Sequence, residues 1–277
     1  MSIKQLVYIL SFVFCFFSLS SQASSPVWKV SKGKDYLYLG ATIHMLGKQD
    51  YPLPPAFDIA YKDSSRLVFE ADLKKLQSPE FSKIFMENLL YPGNKTIKDV
   101  LDITTFNALD NHFVSRGLPL EQMLKFKPGM LSMMMTVFEL KRLNIAGMGV
   151  DEFYINKGLS EGKKFAYLEK IEDQLSFLAD MGKTNENEFI LYTLRDLEKI
   201  SGQMTGIKEA WRTGDNSKLE KAALTGWEKE FPEIYNTLLL ERNNKWIPKI
   251  ESMLKTKEVE FIMFGALHMV GDDGVLA

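Results

Sequence analysis

Two histidines stand in matching settings near opposite ends of this 277-residue chain. Leu39-Gly40-Ala41-Thr42-Ile43-His44-Met45 and Phe264-Gly265-Ala266-Leu267-His268-Met269 each read as a β-strand end, then small residues, then a histidine followed by methionine. Small residues at a strand end let a ligand or another segment approach the backbone closely. In α/β sheets the C-terminal strand ends are where ligands bind, so two imidazoles delivered there from distant parts of the chain can meet. Imidazole binds transition metals and moves protons near neutral pH. The competing reading of each histidine is a hydrogen-bonded core residue.

Carboxylates supply the next candidates. Glu70 lies at the end of the apolar run Arg66-Leu67-Val68-Phe69-Glu70-Ala71-Asp72-Leu73, on the same strand face as Asp72, roughly 7 Å away by the rise per residue. An acid set in Leu-Val-Phe-Glu-Ala needs a partner if it is buried. Two histidines and one carboxylate leave positions open on a metal, the arrangement that makes a bound water acidic and nucleophilic. Asp72 is read either as a partner to that set or as a cap on the strand end. Further on, Leu239, Arg242, Asn243, Trp246 and Ile250 share one helical face. An inward Arg242 would pair with a carboxylate or clamp an oxyanion, and an outward one would snorkel at the rim.

Other chemistries find little support. There is no Gly-x-Ser-x-Gly, phosphate loop or dinucleotide fingerprint, and the only cysteine is Cys15. Met130, Met133, Met134 and Met135 sit at helical spacing beside Leu131, Val137 and Phe138, which reads as adaptable core packing. His112, with no small-residue lead-in, is read as structural or exposed.

The elements that must position these residues follow from pattern. Lys4 precedes an apolar run from Leu6 to Leu19 and a small-residue stretch ending at Ala23, the form of a cleavable secretory signal over residues 1–23. That run falls short of the roughly 20 residues of a bilayer span, although an uncleaved anchor is the alternative reading. Removal of the signal would leave no thiol and no membrane span, in an exported protein, periplasmic or secreted. Val27-Trp28-Lys29-Val30 and Tyr36-Leu37-Tyr38-Leu39 flank a Gly-containing turn and read as a β-hairpin. Ser78-Pro79-Glu80 opens a helix. From about Thr104 to Ala223 the pattern is mainly helical, interrupted by a short strand at 163–169. An apolar strand at 259–264 leads to His268, and Pro248 is expected to kink its helix or to start a second one.

Hydrophobic residues make up 45% and charged residues 25% of the chain, with 34 basic against 36 acidic side chains. Such a balance belongs to a globular protein with a full core, and the absence of a basic block argues against nucleic acid as a partner. The expectation is one α/β domain over 24–277 with a helical insertion in its middle. The early stop at Ala277 raises the expectation of a missing element after His268.

In this order the motifs resemble the TraB/GumN (Tiki-like) family. The carrying residues are Trp28-Lys29-Val30 with Gly40-Ala41-Thr42-Ile43-His44, Tyr51-Pro52-Leu53-Pro54, Phe69-Glu70-Ala71-Asp72-Leu73, Lys127-Pro128 and Gly149-Val150-Asp151. Leu168-Glu169 with Gln174, Trp211 with Gly214-Asp215, Glu241-Arg242-Asn243 with Trp246, and Gly265-Ala266-Leu267-His268 complete the set. Ala41 departs from the glycine expected there, which would crowd the site, and Gly129 stands where a tryptophan often follows Lys-Pro. The resemblance implies a fold shared with erythromycin esterase (EreA) and haem-binding ChaN-like proteins, a mixed sheet flanked by helices. It implies a metal-dependent hydrolase, a peptidase first, with His44, His268 and Glu70 holding Mn²⁺, Co²⁺ or Zn²⁺. Glu70 would double as general base, and Arg242 would stabilise a developing oxyanion. The substrate would be a peptide or small molecule. TraB relatives that sequester a peptide, and ChaN-like relatives that capture haem or metal, keep a non-catalytic binding protein open as the alternative.

Overall fold

The computed structural model describes residues 25–224 and 227–277, so the signal-like segment at 1–23 lies outside the described residues. The expected hairpin forms. β1 (Val27–Lys32) and β2 (Asp35–Thr42) pair antiparallel with Lys32 opposite Asp35, which leaves a two-residue turn. Gly33 takes φ +66° in that turn, a conformation glycine adopts without steric cost. β3 (Met45–Leu46) follows, then α1 (Pro55–Asp63), β4 (Arg66–Phe69) and α2 (Pro79–Leu89), whose Ser78 N-cap accepts from Phe81 N–H.

The helical stretch comprises α3 (Ile103–Val114), α4 (Pro128–Arg142), α5 (Val150–Ser160), α6 (Ile171–Asp180), α7 (Glu186–Thr213) and α8 (Asn216–Ala223). Two strands interrupt it: β5 (Gly147–Met148), paired with β3, and β6 (Lys164–Tyr167). The chain returns through α9 (Glu241–Met253) to β7 (Glu260–Gly265). Pro248 neither ends α9 nor starts another helix. It sits at an exposed position, where the carbonyl its missing N–H would have bonded can turn to water.

The main sheet runs β1-β2-β7-β4-β6, with every pair parallel except the β1–β2 hairpin. All six residues of central β7 are buried, which explains its near-continuous apolar sequence. A mixed α/β architecture with helices flanking a five-stranded sheet therefore matches the expectation of class and layering. The largest apolar cluster covers the sheet, joining Leu37, Phe57, Leu67, Tyr154, Trp211, Trp246, Phe261 and Phe264. Leu109, Phe113, Leu131, Met135, Ile190 and Leu197 form a second core wholly within the helical layer.

One contact ties that layer to the sheet, and another shows how it packs within itself. Trp211 donates from Nε1 to the Ala41 carbonyl at 2.7 Å, bolting the end of α7 to β2. Gly129 gives α6 room against α4, since a Cβ there would fall 2.0 Å from the Leu178 carbonyl oxygen. A tryptophan at that position would push the helices apart. Among the described residues no helix is long and apolar enough to cross a membrane.

Candidate functional site

Every parallel strand ends on a polar residue of one cluster. His44 follows the end of β2, Glu70 that of β4, Glu169 that of β6 and His268 that of β7. The register makes this possible, because Thr42 pairs with Gly265 and Phe69 with Tyr167. The ladder extends one step further, as Glu169 N–H donates to the Glu70 carbonyl at 2.8 Å. Gly265 lies at the centre of the cluster. A Cβ on it would meet His44 Nε2 at 3.3 Å, Glu70 Oε1 at 3.4 Å and the His268 ring at 3.7 Å.

His44 sits at the open side, with its side chain 61% exposed. Its Nδ1 donates to Asp151 Oδ2 at 2.8 Å, while Thr42 Oγ1 donates to Asp151 Oδ1 at 2.8 Å. Asp151 occupies the first turn of α5, where the helix dipole favours an anion. That turn is stitched to β2 by the bond from Val150 N–H to the Ile43 carbonyl. Gly149 is required for the approach, since a Cβ there would come within 2.2 Å of the His44 carbonyl oxygen. The Asp151 carboxylate pushes the His44 imidazole up to about 9. With Nδ1 engaged, Nε2 is left to point at Glu70 Oε1, 3.9 Å away.

Glu70 and Arg242 form the buried middle. Glu70 Oε1 accepts from Gly265 N–H at 2.7 Å, and Oε2 accepts from Arg242 Nη2 at 2.6 Å and Gln174 Nε2 at 3.1 Å. Burial alone would raise this carboxyl, but Arg242, the two imidazoles and the Gly265 amide bring it down to about 2. Arg242 arrives on α9, inward as its stripe implies, and spends all five of its N–H donors. They go to Glu70, to both oxygens of Glu169, to the Leu238 carbonyl and to His268 Nε2. No donor remains for an oxyanion, so in this arrangement Arg242 holds Glu70 in place. Burial works against the guanidinium charge, and the Glu70 and Glu169 carboxylates more than restore it.

His268 is the buried counterpart, 4% exposed. Arginine can only donate, so His268 Nε2 accepts from Arg242 Nη1 at 3.1 Å. Its Nδ1–H then donates to Asn243 Oδ1 at 2.7 Å, which assigns a neutral tautomer from the network. Asn243 Nδ2 in turn donates to the Asp273 carbonyl. Trp246 packs against the imidazole with centroids 4.5 Å apart. Burial pushes the His268 value down to about 3, against the pull of Glu70.

The four residues singled out from sequence thus come together, but not as equals. His44 Nε2 and Glu70 Oε1 face one another across a gap that one ion with ligand distances of roughly 2 Å can bridge. His268 turns its accepting nitrogen to Arg242. Among the described residues no three His, Cys, Asp or Glu side chains converge at metal-binding spacing. β4 stops at Phe69 and does not run on to Leu73 as the alternation predicts, so Glu70 and Asp72 share no strand face; Asp72 accepts from Lys74 N–H and caps the short 3₁₀ turn that follows it. Ala41 is fully buried in the main core, and the glycine that borders the site is Gly265. His112 is a half-buried residue of α3. Met135 is core, whereas Met133 is 42% exposed.

Sequence reasoning passed over Asp151, Glu169 and Gln174 as site residues. The usable signal was position: Asp151 follows a glycine at a helix start, and Glu169 stands just past a strand end, as His44 does. A cleft of about 800 Å³ opens onto the cluster, lined by His44, Glu70, Asp151, Gln174 and residues of α5. Curated proteins and solved structures offer no significant match to the chain. The sequence profile of the TraB/PrgY/gumN family, however, matches residues 26–277, and with this site spread across that span the chain belongs to the TraB/PrgY/gumN family.

Proposed function

We propose that the protein is a metal-dependent hydrolase, with peptides as its first substrate class, whose reaction centre is the gap between His44 Nε2 and Glu70 Oε1. The observation that carries this reading is the pairing of those two atoms at Gly265, at the mouth of the 800 Å³ cleft. Charge supports a divalent cation there. Arg242 offsets one of the three carboxylate charges of Glu70, Asp151 and Glu169, so an ion that takes the place of the proton on His44 Nε2 would meet a cluster short of two positive charges. The field that raises the proton affinity of His44 also favours a metal ion, and a carboxylate behind the far ring nitrogen is how metal-bound imidazoles are oriented.

When bound, such an ion would polarise a carbonyl and acidify a water. The chain's own residues do the rest. Asp151, steadied by Thr42, fixes the His44 ring. Gly265 N–H, Arg242 and Gln174 fix Glu70, an ionised carboxylate able to receive a proton. Arg242 acts through Glu70 as a positioning residue, and His268 with Asn243 holds Arg242 from behind. The proposal extends to the fold, as an EreA/ChaN-like sheet, and to an exported setting supported by the leader-like sequence.

A second reading, stoichiometric capture of a peptide without turnover, is favoured because no third metal donor converges among the described residues. Metal content and peptide-library cleavage separate the two. Wild type incubated with Mn²⁺, Co²⁺ or Zn²⁺ should hold near-stoichiometric metal and cleave, and His44→Ala and Glu70→Gln should lose both while staying folded. Cleavage that survives chelation would rule out the metal-dependent version. Peptide binding with neither metal nor cleavage would establish capture.

A further inference from the structure

The cleft extends well beyond the reacting atoms, and its far end differs in character from its near end. Asp151, Ile155 and Leu159 line it at intervals of four on α5, a row along one helix face. Eight residues of helix span roughly 12 Å, which is the length of three to four residues of extended chain. At the near end stand His44, Glu70 and Gln174. Leu159, at the far end of that row, is 42% exposed, and Leu73, which also lines the cleft, is 41% exposed. Two large aliphatic side chains left open to water in one concavity lose that exposure only when something covers them.

The rim carries two carboxylates that make no ion pair among the described residues. Asp72 and Glu152 both line the cleft. Among the described residues Asp72 receives the Lys74 backbone N–H and the Tyr167 hydroxyl, both neutral donors. Glu152 has no ion-pair partner among the described residues. Lys74, the lysine of the lining, lays its ammonium 5.6 Å from the centre of the Phe165 ring and makes no ion pair with either carboxylate. Asp151 and Glu70, by contrast, are matched by His44 and Arg242.

Resting on the peptide reading above, we infer that the cleft selects a peptide segment with a large apolar side chain and a cationic group. The apolar side chain seats over Ile155, Leu159 and Leu73, within about four residues of the reacting bond. The cation, a lysine, an arginine or a free amino terminus, is met by Asp72 and Glu152. Acidic segments are turned away by the same carboxylates.

Equilibrium dialysis of the full chain in chelator tests this. The probe is a pool of hexapeptide amides in which two positions vary among Ala, Leu, Phe, Lys and Asp, with bound species read by mass spectrometry. Peptides combining Leu or Phe with Lys should be enriched roughly ten-fold or more over their Ala-with-Lys counterparts, the scale of one hydrophobic pocket contact, and enriched over their Asp counterparts as well. Leu159→Asp should abolish the apolar preference and keep the cationic one, and Glu152→Lys should do the reverse; both positions are exposed, so folding is not at stake. No bound peptide, enrichment of acidic peptides, or preferences unmoved by both substitutions would overturn the inference. Selective binding without cleavage in Mn²⁺ would leave it standing and remove the hydrolase. Cleavage of sequences unrelated to this pattern would do the opposite.

Discussion

His44 and His268 follow the ends of neighbouring parallel strands after nearly the same residues, yet the protein uses them in contrary ways. One is open to water, braced by a carboxylate and inclined to hold a positive charge. The other is sealed under Trp246, braced by an amide and an arginine, and kept neutral. The lesson is that partners decide an imidazole's chemistry more than its own local sequence does. Asp151 leaves His44 Nε2 facing the cleft, whereas Arg242 consumes the equivalent nitrogen of His268. The open histidine is built to meet a ligand, and the buried one to hold the wall behind it.

If so, the two sides should respond very differently to damage. Arg242→Ala should be the most destabilising change, on the order of 3–5 kcal/mol in chemical denaturation. It strands the buried Glu70 and Glu169 carboxylates and leaves His268 Nε2 without a donor. Asn243→Ala, which orphans the His268 Nδ1–H, should cost about 1–3 kcal/mol. A cost near zero for both would mean that the inner wall is not structural.

Acid should act on the same wall. The His268 value is about 3 in the fold against 6.5 in a free imidazole, so below 6.5 the unfolded chain takes up a proton that the native state refuses. Stability should therefore fall as pH drops from about 6.5 towards 3, and His268→Gln should flatten that fall in pH-dependent melts. An unchanged slope would place the protonation elsewhere. His44→Ala should cost least, about 1 kcal/mol or under, because the ring is largely exposed. Its effect should appear instead in metal content and turnover.

Much of this was legible beforehand. The hairpin, the strands at β4, β6 and β7 and the buried face of α9 all follow from periodicity and apolar runs. The pairing of the two small-residue–histidine motifs pointed to one place. The division of labour between the histidines was not legible, because it depends on Asp151 and Arg242, which reach them from elements far away in sequence. Nor was the saturation of Arg242, since a stripe position says that an arginine faces inward but not how many carboxylates await it. That α9 continues through Pro248 was not legible either, because it depends on whether the released carbonyl is solvated, a property of burial that spacing does not encode.

The most direct test is a ¹H–¹⁵N spectrum of the histidine rings in the metal-free protein, followed through pH 5 to 9 and then with Zn²⁺ added. The account predicts that His44 carries both ring protons at neutral pH and releases one only as pH approaches 9. His268 should stay a neutral Nδ1–H tautomer throughout. Zn²⁺ should then shift His44 Nε2, with Nδ1 still bonded to Asp151. Two histidines that titrate alike, or a metal that shifts His268 and leaves His44 untouched, would contradict it.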